Sequence, residues 1–444
     1  MRRATAPSSS YPVRPAPFGG SSIRYLSLAT NDLGRLPKYF ALGACLMSFA
    51  PRLLFAAAAL ALASPSLAQD IVVKGKPVAE TAADLAACLK RDCPPDEDIK
   101  ATLAHAENLF VNGDYKTAQR TLHASMGRNR KHGEAYPLQV SDLFRANSRV
   151  AEHMGEARDY QLSTLDMRNT LRDSFGKDDF RTLVADIEVG DSRAKLGFSE
   201  EAEKMYRDVE KRALAAKQFR VASFARVRLA TVARNRYDLE PTSANRKELD
   251  KRLTLVTDNP LPGGEEFVLA AKVLRAKSDR KHGSTASTDE LVKEFAAKGG
   301  ASRPLLLYSE PLARDDPRSA GWPDGFDNTR NASLGTSTNR YGQWVDVGFW
   351  IGQNGKVSDI EVLRAKGDSA WAKPVLRNIS RRVYAPLKTD GDSTPGFYMI
   401  ERYTLTARVT DGATGTHLRT RELTPRIERI DLTEDPAEPA KSGG

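Results

Sequence analysis

The chain has 444 residues, room for about two or three domains of roughly 150 residues. Its hydrophobic share of 40% and charged share of 28% are globular rather than disordered values, and three cysteines exclude a disulfide-rich scaffold. The net charge of +10 points first to nucleic acid or a membrane surface, but residues 1–68 hold seven of the 67 basic side chains and one of the 57 acidic, so the remaining 376 carry 60 and 56, a near-neutral body that needs no polyanionic partner.

Residues 53–63 read Leu-Leu-Phe-Ala-Ala-Ala-Ala-Leu-Ala-Leu-Ala, preceded by Arg52 and followed by Ser64-Pro65-Ser66-Leu67-Ala68. A charged start, an apolar stretch and small residues at 66 and 68 predict a signal peptide over 47–68, cleaved between Ala68 and Gln69. Met47 stands where such a peptide would begin, so residues 1–46 are a doubtful extension. The apolar run is too short for a bilayer, which takes about 20 residues; an uncleaved anchor is the alternative, and membrane contact is expected only in that case. Export places the chain in the periplasm. Cys45 goes with the leader, and Cys88 and Cys93 are left as an even pair, expected to form a structural disulfide within a linker over 69–95.

Gly113, Gly155 and Gly197 are spaced by 42 residues in similar frames, which signals repeats. In the third copy, Leu183, Ile187, Gly190 and Ala194 share one helical face. Gly197 ends that helix, Ser199 is expected to cap the next, and Ala202, Met205, Tyr206, Val209 and Ala213 form its stripe. Such an αα-hairpin buries its stripe only by stacking on neighbours. The stretch resembles tetratricopeptide repeats of the longer, 42-residue variety, assigned to 96–240; an irregular helical bundle is the alternative. Residues 241–300 read as a further helical unit and linker, with breaks at 259–264 and 283–284.

From Gln343 the period changes to two. Val345, Val347, Phe349 and Ile351 alternate with Trp344, Asp346, Gly348 and Trp350. Asn354-Gly355 signals a hairpin into a strand holding Ile360 and Val362. Ser369 is expected to cap a helix bearing Trp371, Val375, Ile379 and Val383, stopped by Pro386. A last strand runs from Phe397 to Val409, interrupted at Glu401. The two tryptophans fall opposite the core stripe, where they are expected either to pack under the helical repeats or the 312–340 segment or, if exposed, to mark a contact surface. Residues 413–444 read as a polar tail, expected to lack structure from 425 onward.

The motifs Gly342–Ile351, Asn354-Gly355-Lys356-Val357, Val362–Asp368 and Arg382-Val383-Tyr384-Ala385-Pro386 resemble the TonB C-terminal domain family, giving a domain over 301–412. The resemblance implies a periplasmic module that lends a sheet edge to a short segment of an outer-membrane receptor. The equivalent edge here is the last strand, with Tyr398, Ile400, Arg402, Tyr403, Thr404, Leu405 and Thr406 as its partner-binding residues by β-augmentation. Energy transducers of that family keep an uncleaved membrane helix and a Pro-rich spacer. This chain has a cleavable leader and helical repeats instead.

Enzymatic signals are absent. The six histidines form no His-x-x-x-His pair, and there is no Gly-x-Ser-x-Gly elbow and no Walker loop. Asp315, Asp316, Asp324 and Asp327 lack calcium-loop spacing. Arg377, Arg381 and Arg382 read as a solvated basic helix face, and Asn331-Ala332-Ser333 as a sequon of little meaning in a bacterial envelope. The fold expected is therefore multidomain: all-α TPR-like αα-hairpins followed by a small α+β TonB-C-like domain, an open antiparallel sheet with a helix. The function expected is protein–protein interaction in a Gram-negative periplasm, without enzymatic activity, cofactor, nucleic acid or small-molecule substrate. The alternatives are an anchored energy transducer and an envelope enzyme or its regulatory subunit.

Overall fold

In the computed structural model, residues 76–310, 312, 342–388, 396–411, 419–421 and 426–433 are described. The leader with Ala68 and Gln69, Cys45, the Asp315–Asp327 cluster, the Asn331 sequon and His417 lie outside them.

Eleven helices come first among the described residues: α1 (Val78–Lys90), α2 (Pro95–Val111), α3 (Tyr115–Asn129), α4 (Pro137–Met154), α5 (Ala157–Phe175), α6 (Phe180–Lys195), α7 (Ser199–Ala215), α8 (Phe219–Leu239), α9 (Ser243–Thr257), α10 (Glu265–Lys281) and α11 (Ala286–Ala297). Each packs on the next. Local chemistry sets their starts. Pro95 and Pro137 occupy first turns, and Asp114, Asp179 and Thr242 cap α3, α6 and α9 through their side chains. The stripe read from the third copy is real, since Leu183, Ile187, Ala202, Tyr206, Val209 and Ala213 share one buried cluster. Ser199, however, is the first helical residue of α7 and makes no cap; Phe198 precedes it without a side-chain bond. Cys88 and Cys93 are bonded across the end of α1, with Cα atoms 5.2 Å apart, so much of the expected linker is helix. No helix among the described residues is long and apolar enough to cross a membrane.

A small antiparallel sheet region follows. Its elements are β1 (Leu306–Tyr308), β2 (Gln343–Ile351), β3 (Val357–Lys366), α12 (Lys373–Ser380), β4 (Val383–Tyr384), β5 (Phe397–Thr406), β6 (Val409–Asp411), β7 (Arg419–Arg421) and β8 (Arg426–Asp431). The main sheet has the order β3-β2-β5-β8, and β1 pairs with β4. Gly355, at φ +74, turns the β2–β3 hairpin. Val345, Val347, Phe349 and Ile351 pack beneath Val375 and Ile379 of α12, as their alternation requires.

Four readings of this region need correction. The last strand is not a free edge. β5 pairs with β2 on one side and with β8 on the other, from Glu401↔Asp431 to Thr406↔Arg426. The supposed polar tail supplies β8, so the sheet extends past residue 412. The helix stops at Ser380 and not at Pro386. Val383 and Tyr384 turn extended to pair with β1, Trp371 sits in a preceding 3₁₀ turn, and Asp368 rather than Ser369 accepts from the Ala370 N–H at 2.9 Å. Glu401 does not interrupt β5, because it is buried and charge-paired.

The sheet region touches the helical array at both ends. Trp344 and Ile430 join a cluster with Phe110, Leu143, Phe144 and Met167 of α2, α4 and α5. Leu307 and Ala385 join Val273 and Ala276 of α10 and Leu291 of α11.

Candidate functional site

The 42-residue period acquires a purpose where sheet meets helices. Gly113 and Gly155 both sit at φ +77, a left-handed conformation that glycine adopts without a Cβ penalty. Both are also pressed against the sheet. A Cβ on Gly113 would lie 2.2 Å from the Trp344 indole nitrogen, and one on Gly155 would lie 2.2 Å from the Ala407 carbonyl oxygen. The Val409 N–H donates to Gly155 O at 2.7 Å, and the Arg408 guanidinium donates to the Lys195 and Leu196 carbonyls. Three successive hairpin turns are thus held by the β2 and β5 strands and the segment after β5. Gly197 has φ +96, but a Cβ there would meet nothing within 4 Å. Gly197→Ala is therefore expected to cost about 1 kcal/mol in urea unfolding, and Gly155→Ala about 2–4 kcal/mol, since the second also forces backbone apart.

The strand residues named from the sequence split by face. Arg402, Thr404 and Thr406 point to the helices, whereas Tyr403 and Leu405 pack under α12. Arg402 is fully buried and donates to Asp346 through Nε (2.6 Å) and Nη2 (2.9 Å), while Nη1 donates to Phe110 O at 3.0 Å. That carbonyl belongs to the last turn of α2, where the helix dipole favours a cation. The guanidinium also lies 3.9 Å from the Trp344 ring centroid, a cation–π contact. Arg364 of β3 adds a second donor to Asp346 at 2.8 Å.

Beside this pair, the Thr404 hydroxyl meets Tyr115 Oη at 2.9 Å and His153 Nε2 at 2.7 Å. The His153 ring packs against Phe110 and Tyr115. Burial, aided by the nearby Arg402 charge, lowers its pKa to about 3, so the imidazole is neutral. Its Nδ1 and the Trp344 Nε1 are buried without a hydrogen-bond partner among the described residues.

The opposite face of β5 holds another buried network. Arg382 donates to Glu401 (2.7 Å) and to Tyr403 Oη (2.6 Å), and Arg429 of β8 approaches Glu401 at 3.4 Å. Burial alone would raise the Glu401 pKa. The charges of Arg382 and Arg429 outweigh it and hold the carboxyl at about 2. Arg382 therefore does not belong to a solvated basic face; of that trio only Arg377 and Arg381 are exposed. Of the readings open for the two tryptophans, Trp344 packs against the helices, and Trp350 lies against Tyr398 with centroids 5.1 Å apart.

These charged groups are engaged with one another and not aimed at a common reacting centre. Among the described residues, one metal-compatible cluster occurs, Cys88, Cys93 and Glu97, and its sulfurs are bonded to each other. Sequence reasoning named Arg402 and Thr404 but missed Asp346, Tyr115 and His153 as their partners. Alternation placed Asp346 on the Trp344 face, which was the one available signal. No known family model matches the chain, and no curated protein is detectably similar to it.

Proposed function

We propose that the chain is an exported, non-enzymatic adaptor of a Gram-negative periplasm, with TPR-like hairpins carrying a TonB-C-like module that grips a protein partner by its sheet edge. A segment of a TonB-dependent outer-membrane receptor is the partner class that the family resemblance implies. Two features support the reading: consecutive antiparallel helix pairs, and the strand–hairpin–strand–helix–strand order of β2, β3, α12 and β5.

The carrying observation is the position of β3. With β5 covered, β3 ends the sheet, and no strand pairs with its outer side among the described residues. It is exposed along nearly its whole length, and Val362 and Leu363 keep 43% and 39% of their surface. Edge strands are normally guarded. Asp359, at φ +48, interrupts the first half of this one, and a bulge at Leu363 breaks the register of the second, so the edge is only partly guarded against an incoming strand. An incoming strand would satisfy the edge's backbone groups and shelter Val362.

The test is site-specific photo-cross-linking in intact cells. A benzoylphenylalanine at position 363 is expected to trap one envelope protein at least tenfold better than the same group at exposed Lys247 on α9. Val362→Asp should abolish the adduct without lowering the melting temperature. Equal trapping at 363 and 247 would remove the edge from the proposal.

A further inference from the structure

We infer that the cleft between the α2–α3 turn and the ends of β2 and β3 binds a small organic anion with an apolar body. The cleft borders the β3 edge at Lys366, but the ligand inferred for it is a small molecule and does not depend on a strand pairing with β3.

The cleft encloses about 430 Å³, within the size range of small-ligand sites. Both layers wall it: Tyr115, Lys116 and His153 from the helices, Gln343, Lys366 and Thr404 from the sheet. Its charge is mainly positive, two lysines against one carboxylate that Lys366 helps to keep ionised. Lys116 and Lys366 both face it, and neither makes an ion pair within 4.0 Å among the described residues. The one lining acid, Asp114, is engaged as the α3 cap, accepting from the Thr117 N–H at 3.2 Å. The start of the 15-residue helix α3 adds its positive end at the same place.

The wall also carries unsatisfied polarity. Thr404 already links Tyr115 and His153, and His153, only 1% exposed, leaves Nδ1 without a partner. A buried polar group of this kind calls for a partner. Met154, the Tyr115 ring and the lysine stems supply apolar surface around these groups. Two cations, one buried unpaired nitrogen and an apolar wall fit a carboxylate or a phosphate monoester on an aromatic or aliphatic body. They do not fit a cation or a sugar.

Calorimetric titration of the full chain tests this with phenylacetate, phenyl phosphate and the neutral control phenylacetamide. At least one anion should bind ten times more tightly than the amide, and the stronger of the two identifies the head group. Lys116→Glu/Lys366→Glu changes two exposed side chains. It should weaken that anion at least tenfold while leaving the melting temperature of the free protein in place. Bound ligand should raise the melting temperature of the parent chain and not of the variant. Equal affinity for amide and anions, unchanged affinity in the double variant, or no binding of any of the three at 10 mM would each overturn the inference.

Discussion

Arg402→Leu is expected to lower the unfolding free energy by about 3–5 kcal/mol, the cost of leaving one member of a buried ion pair alone. The side chain has no exposed surface, so water cannot replace what is lost. Asp346 would keep only Arg364 from the surface side. Phe110 O would lose a charged donor, and the Trp344 ring would lose the cation over it. Because these groups join β2 and β5 to the end of α2, the damage should fall on docking of sheet to helices. Urea unfolding gives the magnitude. Asp346→Asn combined with Arg402→Met should recover at least half of the loss, because no charge is then buried without its partner. A single Arg402→Leu change costing under 1 kcal/mol would show that the pair contributes little to docking.

Acid should destabilise the protein in two overlapping windows, His153 acting first and Glu401 joining below about pH 4.5. His153 is neutral in the folded chain down to about pH 3 but ordinary in the unfolded chain, near 6.5. Below 6.5 the unfolded state binds a proton that the folded state refuses. Its contribution is therefore complete above pH 6.5 and shrinks as pH falls, by about 3 kcal/mol at pH 4. Glu401 acts lower. Its carboxyl is held at about 2 against 4.5, so its contribution is present above 4.5 and lost as pH falls toward 2. Urea midpoints at pH 7, 6 and 5 isolate the histidine, because Glu401 contributes little change above pH 5. His153→Gln keeps a group able to bond Thr404 and removes the titration, so its stability should fall less steeply over that range. A slope identical to the parent's would rule out His153 as the source.

How much of this could be read from the sequence depended on distance along the chain. The hairpin turns were legible because glycine at a 42-residue spacing and the Leu183–Ala213 stripe are local signals. The β2–β3 hairpin was legible for the same reason, through Asn354-Gly355. β8 was not. Arg426-Ile427-Glu428-Arg429-Ile430-Asp431 has two apolar residues among four charges and reads as a tail. It is a strand because β5 offers a ladder, Glu401 offers Arg429 a partner, and the α2–α5 core takes Ile430. Tertiary context likewise hid Arg382, whose ion partner lies 19 residues away, and His153, which is separated from Thr404 by 251 residues. No motif of fixed spacing connects such residues. The free-edge reading failed with them, because it needed to know whether anything downstream could pair with β5.

The two-ended attachment of the sheet region has a mechanical consequence. An open stack of helix pairs stretches under tension like springs in series, each neighbour giving a little. Here the bow is strung: the β region contacts α2, α4 and α5 at one end and α10 and α11 at the other, with Arg408 tying the α6–α7 turn between them. A pull along the array loads the Trp344 and Ala385 contacts before it separates any helix pair between them. Extension in a force experiment should therefore begin with one abrupt rupture instead of gradual lengthening. A chain built this way holds its span until the string is cut.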